Sequence, residues 1–144
     1  MKKTMISASL LALPLAATIQ NLSAADLSIT ITGIETAGGT ISVGVMDGAE
    51  GFPSKREAIT GKRVTAVEGP NTFVIKGLAP GRYAVAGWYD TNANNKFDTN
   101  LLGMPAEPYG FSNNARGSFG PPSFEDAAFD LGEENLSITF ELLK

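Results

Sequence analysis

Leu27-Ser-Ile29-Thr-Ile31-Thr alternates apolar side chains with small hydroxyl residues, and Thr40-Ile41-Ser-Val43-Gly-Val45-Met repeats the alternation. A period of two sets one row of side chains against a core and the other in water, so both runs predict strands. Residues 33–39 between them contain Gly33, Gly38 and Gly39 and turn the chain. The two runs together read as a β-hairpin or a closely paired β-unit. Further extended runs are predicted at 62–68, through Val64 and Ala66, and at 72–75, with Gly69-Pro70-Asn71 as the turn between them. Residues 47–60 are less regular, and Lys55 to Ala58 reads as a short helical turn.

Arg82 to Asp90 is the best central strand. Tyr83, Val85, Gly87 and Tyr89 share one face, and Ala84, Ala86 and Trp88 share the other. Both faces are apolar, so one faces the core and the other needs a covering loop. Trp88 is expected in the core, and Tyr89 is expected to use its hydroxyl at the sheet edge. Residues 101–124 hold eight Gly and Pro residues, which resist a long regular element. Leu101, Leu102, Met104, Tyr109, Phe111, Phe119 and Phe124 lie among them and predict a structured loop folded back on the domain. Strands at 127–131 and 135–143 complete the reading. It is an all-β, single antiparallel β-sandwich of about seven strands, with a structured Asp/Asn loop and a long Gly/Pro-rich loop. A partly closed barrel is the alternative.

Composition changes this picture in three ways. Met1-Lys2-Lys3, an apolar run from Met5 to Ile19 and Ser23-Ala24-Ala25 form a signal-peptide pattern over residues 1–25. The reading is periplasmic or secreted protein, a domain over 26–144 and no transmembrane anchor after processing. Residues 1–25 carry two lysines and no acid, so cleavage takes the formal net charge from −4 to −6. An acidic chain does not suit nucleic acid. The absence of Cys and His removes disulfides, the commonest general base and the commonest transition-metal ligand.

The segment Asp90-Thr-Asn92-Ala-Asn94-Asn-Lys96-Phe-Asp98 carries the chemistry. Asp90, Asn92, Asn94 and Asp98 stand at the first, third, fifth and ninth positions of a calcium loop. Lys96 at the seventh offers its backbone carbonyl, and Phe97 anchors the loop in the core. Two departures weaken the match: Asn95 replaces the turn glycine, and Leu101 replaces the bidentate glutamate. Glu107 or Asn100 would complete a differently folded shell. Two readings stand: Ca2+ as a stabilising ion, or a loop capped by its own Asn and Asp side chains.

Glu107, Tyr109, Phe111, Asn113 and Asn114 form a candidate recognition loop, with aromatic contact surfaces and amide readers for a peptide, a glycan or an envelope protein. The alternative is that the rings pin the loop and the amides satisfy its turns. Arg82 is expected to be solvated or salt-bridged. Serines are present without His or Cys to activate them, so no familiar nucleophile system is visible. A Ser/Lys pair is open on composition but has no diagnostic motif, and Glu107 paired with Asp90 or Asp98 offers a carboxylate hydrolase arrangement. The reading is therefore a non-catalytic exported binding or interaction module, stabilised by calcium if the loop holds it. The alternatives are a structural scaffold and a small carboxylate-dependent hydrolase.

Three segments together resemble the bacterial family DUF2141: Gly77-Leu-Ala-Pro-Gly-Arg-Tyr-Ala-Val-Ala86, the Asp90 to Asn100 loop, and Gly103-Met-Pro-Ala-Glu-Pro-Tyr-Gly-Phe-Ser-Asn113. The resemblance implies an exported domain over nearly all of 26–144 and supplies no substrate. Family members commonly carry Asn-Gly where this chain has Asn94-Asn95. The first of these segments also resembles turns of transthyretin-like and carboxypeptidase-regulatory-like β-sandwiches, an analogy of fold only.

Protein recovered from the periplasm should begin at or next to Asp26 by intact-mass measurement. Recovery of the full-length chain from the cytoplasm alone would reject the leader.

Overall fold

The computed structural model describes residues 23–53 and 58–144. Residues 1–22 of the expected leader and residues 55–57 of the helical turn expected at 55–58 lie outside the described residues. The elements are β1 (Ala25–Thr32), β2 (Thr40–Met46), β3 (Thr60–Thr65), β4 (Asn71–Leu78), β5 (Gly81–Asp90), β6 (Tyr109–Phe111), a 3-10 turn (Ser112–Asn114), α1 (Phe124–Ala127), β7 (Phe129–Leu131) and β8 (Leu136–Glu141). They form two sheets, one in the order β4-β1-β8 and one in the order β3-β2-β5-β6, with β7 also paired to β5. No helix among the described residues is long and apolar enough to cross a membrane.

The alternation seen in the sequence builds the core directly. Leu27, Ile29 and Ile31 of β1 and Phe140 of β8 face Ile41, Val43 and Val45 of β2 and Val85 of β5 in one buried cluster between the sheets. Full burial of such side chains stabilises by roughly 1.5–3 kcal/mol each. Gly87 of β5 sits directly against Phe140 of the other sheet. A Cβ there would lie 3.1 Å from the Phe140 ring, so the small residue makes room for the large one.

Two pairings differ from expectation. The runs at 27–32 and 40–46 are not a hairpin: β1 pairs with β4 and β8, and β2 pairs with β3 and β5. Both runs bury their apolar rows in the same core, so residues 33–39 carry the chain across from one sheet to the other. The sheets are also not wholly antiparallel, because β8 runs parallel to β1, with Ile29 opposite Ile138 and Ile31 opposite Phe140. A parallel pair needs a long crossover, and most of the chain lies between these two strands. The Gly/Pro-rich segment supplies a strand that periodicity did not predict, the three-residue β6, set against β5 from Ala86 to Trp88. Gly110 lets it fit, since a Cβ would meet the Glu141 carbonyl oxygen at 2.3 Å.

A second apolar layer covers the outer face of β5. Ala84 packs with Phe111, Phe124, Ala127 and Ala128, with Phe52, Ala86 and Tyr109 against them. Ser123 starts α1 by accepting the Asp126 N–H at 3.1 Å.

Phe140→Ala should cost about 3–5 kcal/mol of stability by loss of buried surface and creation of a cavity beside Gly87. Urea denaturation checks it. A cost under about 1 kcal/mol would mean that the sheets do not meet at this residue.

Candidate functional site

The loop after β5 is organised by carboxylates that bind backbone. Asp90 is fully buried at the strand end. Its Oδ1 accepts the Asn94 N–H at 3.0 Å, and its Oδ2 accepts the Asn95 N–H at 2.8 Å. Asn92 Oδ1 also accepts from Asn94 N, at 3.1 Å, and Asn94 Oδ1 accepts from Lys96 N, at 2.8 Å. The Asn92 and Asn94 contacts are successive Asx turns, each side chain capping backbone two residues ahead, while Asp90 reaches four and five residues ahead. Asn95 has φ 63° and Ala93 has φ 55°. Asparagine tolerates this left-handed region better than alanine does, so Asn95 serves at the position where calcium loops carry glycine.

Glu107, also buried, ties the loop ends together. Its Oε1 accepts the Thr91 N–H at 3.0 Å, and its Oε2 accepts the Asp98 N–H at 3.1 Å. Asp98 closes the turn from the solvent side. Its Oδ2 accepts the Asn92 amide at 2.8 Å and the Asn94 amide at 2.9 Å. The Asn94 amide first, and the Asn92 amide second, hold its carboxyl below the ordinary 3.8; burial opposes them, and Lys96 adds a smaller pull.

The sequence spacing does bring the Asn92, Asn94 and Asp98 side chains together, with Asp90 beside them. As arranged, the amide nitrogens of Asn92 and Asn94 face Asp98. A calcium ion takes only oxygen ligands, so binding here requires both amides to turn over and release Asp98. Among the described residues, no three carboxylate, histidine or cysteine groups converge as a metal cluster.

Beside this loop, the outer face of the five-stranded sheet opens into a groove of about 1070 Å³. Ser42, Gly44, Ala86 and Trp88 form the sheet side, and Phe97, Tyr109 and Phe111 stand along it. The rings make a chain of tilted and edge-on contacts. Trp88–Phe97 is 6.0 Å between centroids, Phe97–Tyr109 5.8 Å, Tyr109–Phe111 5.9 Å and Phe111–Phe52 5.8 Å. Met104 and Phe119 contribute from the Gly/Pro-rich loops, and Phe119 is fully exposed. Leu101 and Leu102, next to Met104 in sequence, are almost wholly exposed as well. Such apolar surface on a small domain marks an interaction site more often than chance exposure.

Of the residues expected in a recognition loop, Tyr109 and Phe111 line the groove. Glu107 braces the Asp/Asn loop. Asn113 donates its amide to the Ala128 carbonyl at 2.8 Å, and Asn114 Oδ1 accepts the Glu141 N–H at 2.9 Å. Those two amides hold the 3-10 turn to its neighbours. Phe97 stands on the outer face, 42 % exposed, rather than in the core, and Trp88 is half-buried in the groove. The apolar alternation of Ala84, Ala86 and Trp88 was the available signal for this second face. Ser112 carried no such signal: fully buried, it accepts the Val85 N–H at 2.9 Å and donates to the Ala127 carbonyl. Arg82 is salt-bridged as expected, to Glu125 at 2.8 Å.

A family model described as an uncharacterized protein conserved in bacteria (DUF2141) matches residues 29–139. Comparison with curated proteins and with solved structures finds no match.

The lowered Asp98 value means that its amide contacts stabilise the loop above the ordinary carboxyl range, and that this contribution is lost as pH falls through the lowered value. A carbon-detected NMR titration of Asp98 should give a midpoint below 3.8. Asn94→Ala should raise that midpoint more than Asn92→Ala. An unchanged midpoint in both variants would refute the amide contacts.

Proposed function

The chain belongs to the DUF2141 family, and on that premise we propose that it is a non-catalytic exported module that binds an apolar segment of an envelope protein or peptide in the aromatic groove. The carrying observation is the row of rings bordered by exposed Met104 and Phe119. Among the described residues lining the groove, none is charged, and polar side chains are limited to Ser42, Ser118, Tyr109 and the Trp88 indole. That lining suits apolar side chains. A glycan needs more hydrogen-bonding partners than it provides. Its described residues also include no carboxylate, lysine or arginine. Of the candidate hydrolase carboxylates, Asp90 and Glu107 are buried with every oxygen engaged by a backbone N–H, and Asp98, which is only half-buried, is held by the Asn92 and Asn94 amides.

A second reading adds calcium as a stabiliser of the adjoining loop, favoured by the convergence of Asn92, Asn94 and Asp98 and by the left-handed Asn95. The ion would order the turn and carry out no chemistry on a ligand.

One experiment addresses both. Trp88 is the sole tryptophan of the chain and lines the groove, so its emission reports occupancy. Anilinonaphthalene sulfonate, a probe with an apolar ring system and one anionic sulfonate, should bind folded protein saturably and change Trp88 emission. Tyr109→Ser should weaken it by roughly three- to tenfold, the size of a lost aromatic contact. Absence of saturable binding, or binding indifferent to Tyr109→Ser, would refute the groove. On chelator-stripped protein, millimolar calcium should perturb the amides of residues 90–100, and Asp98→Asn should weaken that response. No saturable response would reject the calcium reading and leave the groove untouched.

A further inference from the structure

We propose that Asn95 is a positioning residue that ties the Asp/Asn loop to the end of the groove by fixing the Arg63 guanidinium over Trp88. Its bearing on ligand binding rests on the groove reading above.

The argument begins with strand register. Arg63 lies opposite Ser42 across β3 and β2, Ser42 lies opposite Trp88 across β2 and β5, and Trp88 lies opposite Tyr109 across β5 and β6. The four residues form one row across four strands. Directly opposed side chains on one face interact, so the row is a physical unit. Arg63 donates through Nε to Ser42 Oγ at 2.8 Å, and its guanidinium carbon lies 5.5 Å from the Trp88 ring centroid. Arg63 belongs to β3, an exposed edge strand, and a long side chain there loses much rotamer freedom if held in one pose.

The Asp/Asn loop supplies the restraint. Asn95 Oδ1 accepts a hydrogen bond from Arg63 Nη1. Two residues on, Phe97 sits against both Trp88 and Tyr109. Residues 95–97 thus lie across the row, with a polar latch at the Arg63 side and a ring at the Tyr109 side. The backbone of Asn95 is itself held by Asp90 Oδ2, so the buried carboxylate sets where the latch stands. The consequence is a cation fixed beside Trp88, outside the uncharged lining of the groove, with the ring row towards Phe111 and the side bordered by Met104 and Phe119 left for a ligand. Asn95 thereby determines where that cation stands beside the groove.

Two substitutions separate this role from a merely structural one. Asn95→Gly removes the acceptor and suits φ 63° better than asparagine does. Asn95→Asp keeps an oxygen for the guanidinium. If Asn95 only shapes the turn, glycine should preserve the wild-type behaviour of Trp88. If Asn95 is the latch, aspartate preserves it and glycine does not. Nuclear Overhauser contacts between the Arg63 side chain and the Trp88 ring should fall roughly two- to fivefold in Asn95→Gly, the factor for losing an exposed cation–aromatic contact. Acrylamide quenching of Trp88 should rise in step. Arg63→Met, which keeps the stem and removes the guanidinium, should reproduce the rise in quenching with the loop intact. Unchanged Arg63–Trp88 contacts in Asn95→Gly, or Asn95→Asp behaving as the glycine variant, would overturn the latch. These readouts need no ligand. Wild-type protein that ignores the probe but keeps the Asn95 ranking refutes the groove alone, and probe binding with the ranking lost refutes the latch alone.

Discussion

Strand β5 has apolar side chains on both faces, and the architecture follows from having to cover it twice. Tyr83, Val85 and Tyr89 on one side are met by the other sheet. Ala84, Ala86 and Trp88 on the other side receive a single layer made from Phe52 and residues 97–128. That layer has little regular structure of its own, so it closes over Ala84 and thins out towards Trp88. The groove is the region where the second covering stops. A sandwich with one dry interface and one partly dressed outer face presents apolar area without sacrificing its core.

The dressing stays in place because buried acceptors satisfy its backbone. Asp90 and Glu107 each lose solvent, and each regains two N–H donors from the segment they organise. A buried carboxylate with one unfilled oxygen would be costly, so such anchors hold only when the loop closes completely. Neutral groups tie down the 3-10 turn: buried Ser112 accepts the Val85 N–H, exposed Asn114 accepts the Glu141 N–H, and exposed Asn113 donates to the Ala128 carbonyl. Polar residues that look like a reactive constellation in the sequence are thus spent on holding irregular chain in one conformation. The rings they position line the groove.

This division gives the two halves of the outer face different characters. The Asp90–Asp98 loop is polar, turn-rich and braced, and it delivers Asn95 and Phe97 to the sheet. Residues 101–105 and 117–121 are apolar and rich in Gly and Pro, with Leu101, Leu102 and Phe119 fully or almost fully exposed. The family match over 29–139 spans both halves together with the strands that carry them.

The sequence by itself determined the strands whose side chains alternate, the all-β class, the family and the boundaries of the Asp/Asn loop. Those features depend on neighbours a few residues apart: Ile29 and Ile31 share a face whatever β1 pairs with, and Asn92 caps Asn94 without outside help. The two apolar faces of β5 were legible too, and with them the need for a cover. Only the tertiary structure decided that β1 and β2 face each other across the core, because a hairpin and an inter-sheet crossing bury the same alternation. It alone made β8 parallel to β1, a pairing with no local signature across so much intervening chain. It also decided which partners the polar residues find. Glu107 finds Thr91 and Asp98, Asn113 finds Ala128, and Arg63, Ser42, Trp88 and Tyr109 fall into one row, because the sheet register sets distances that spacing along the chain does not contain.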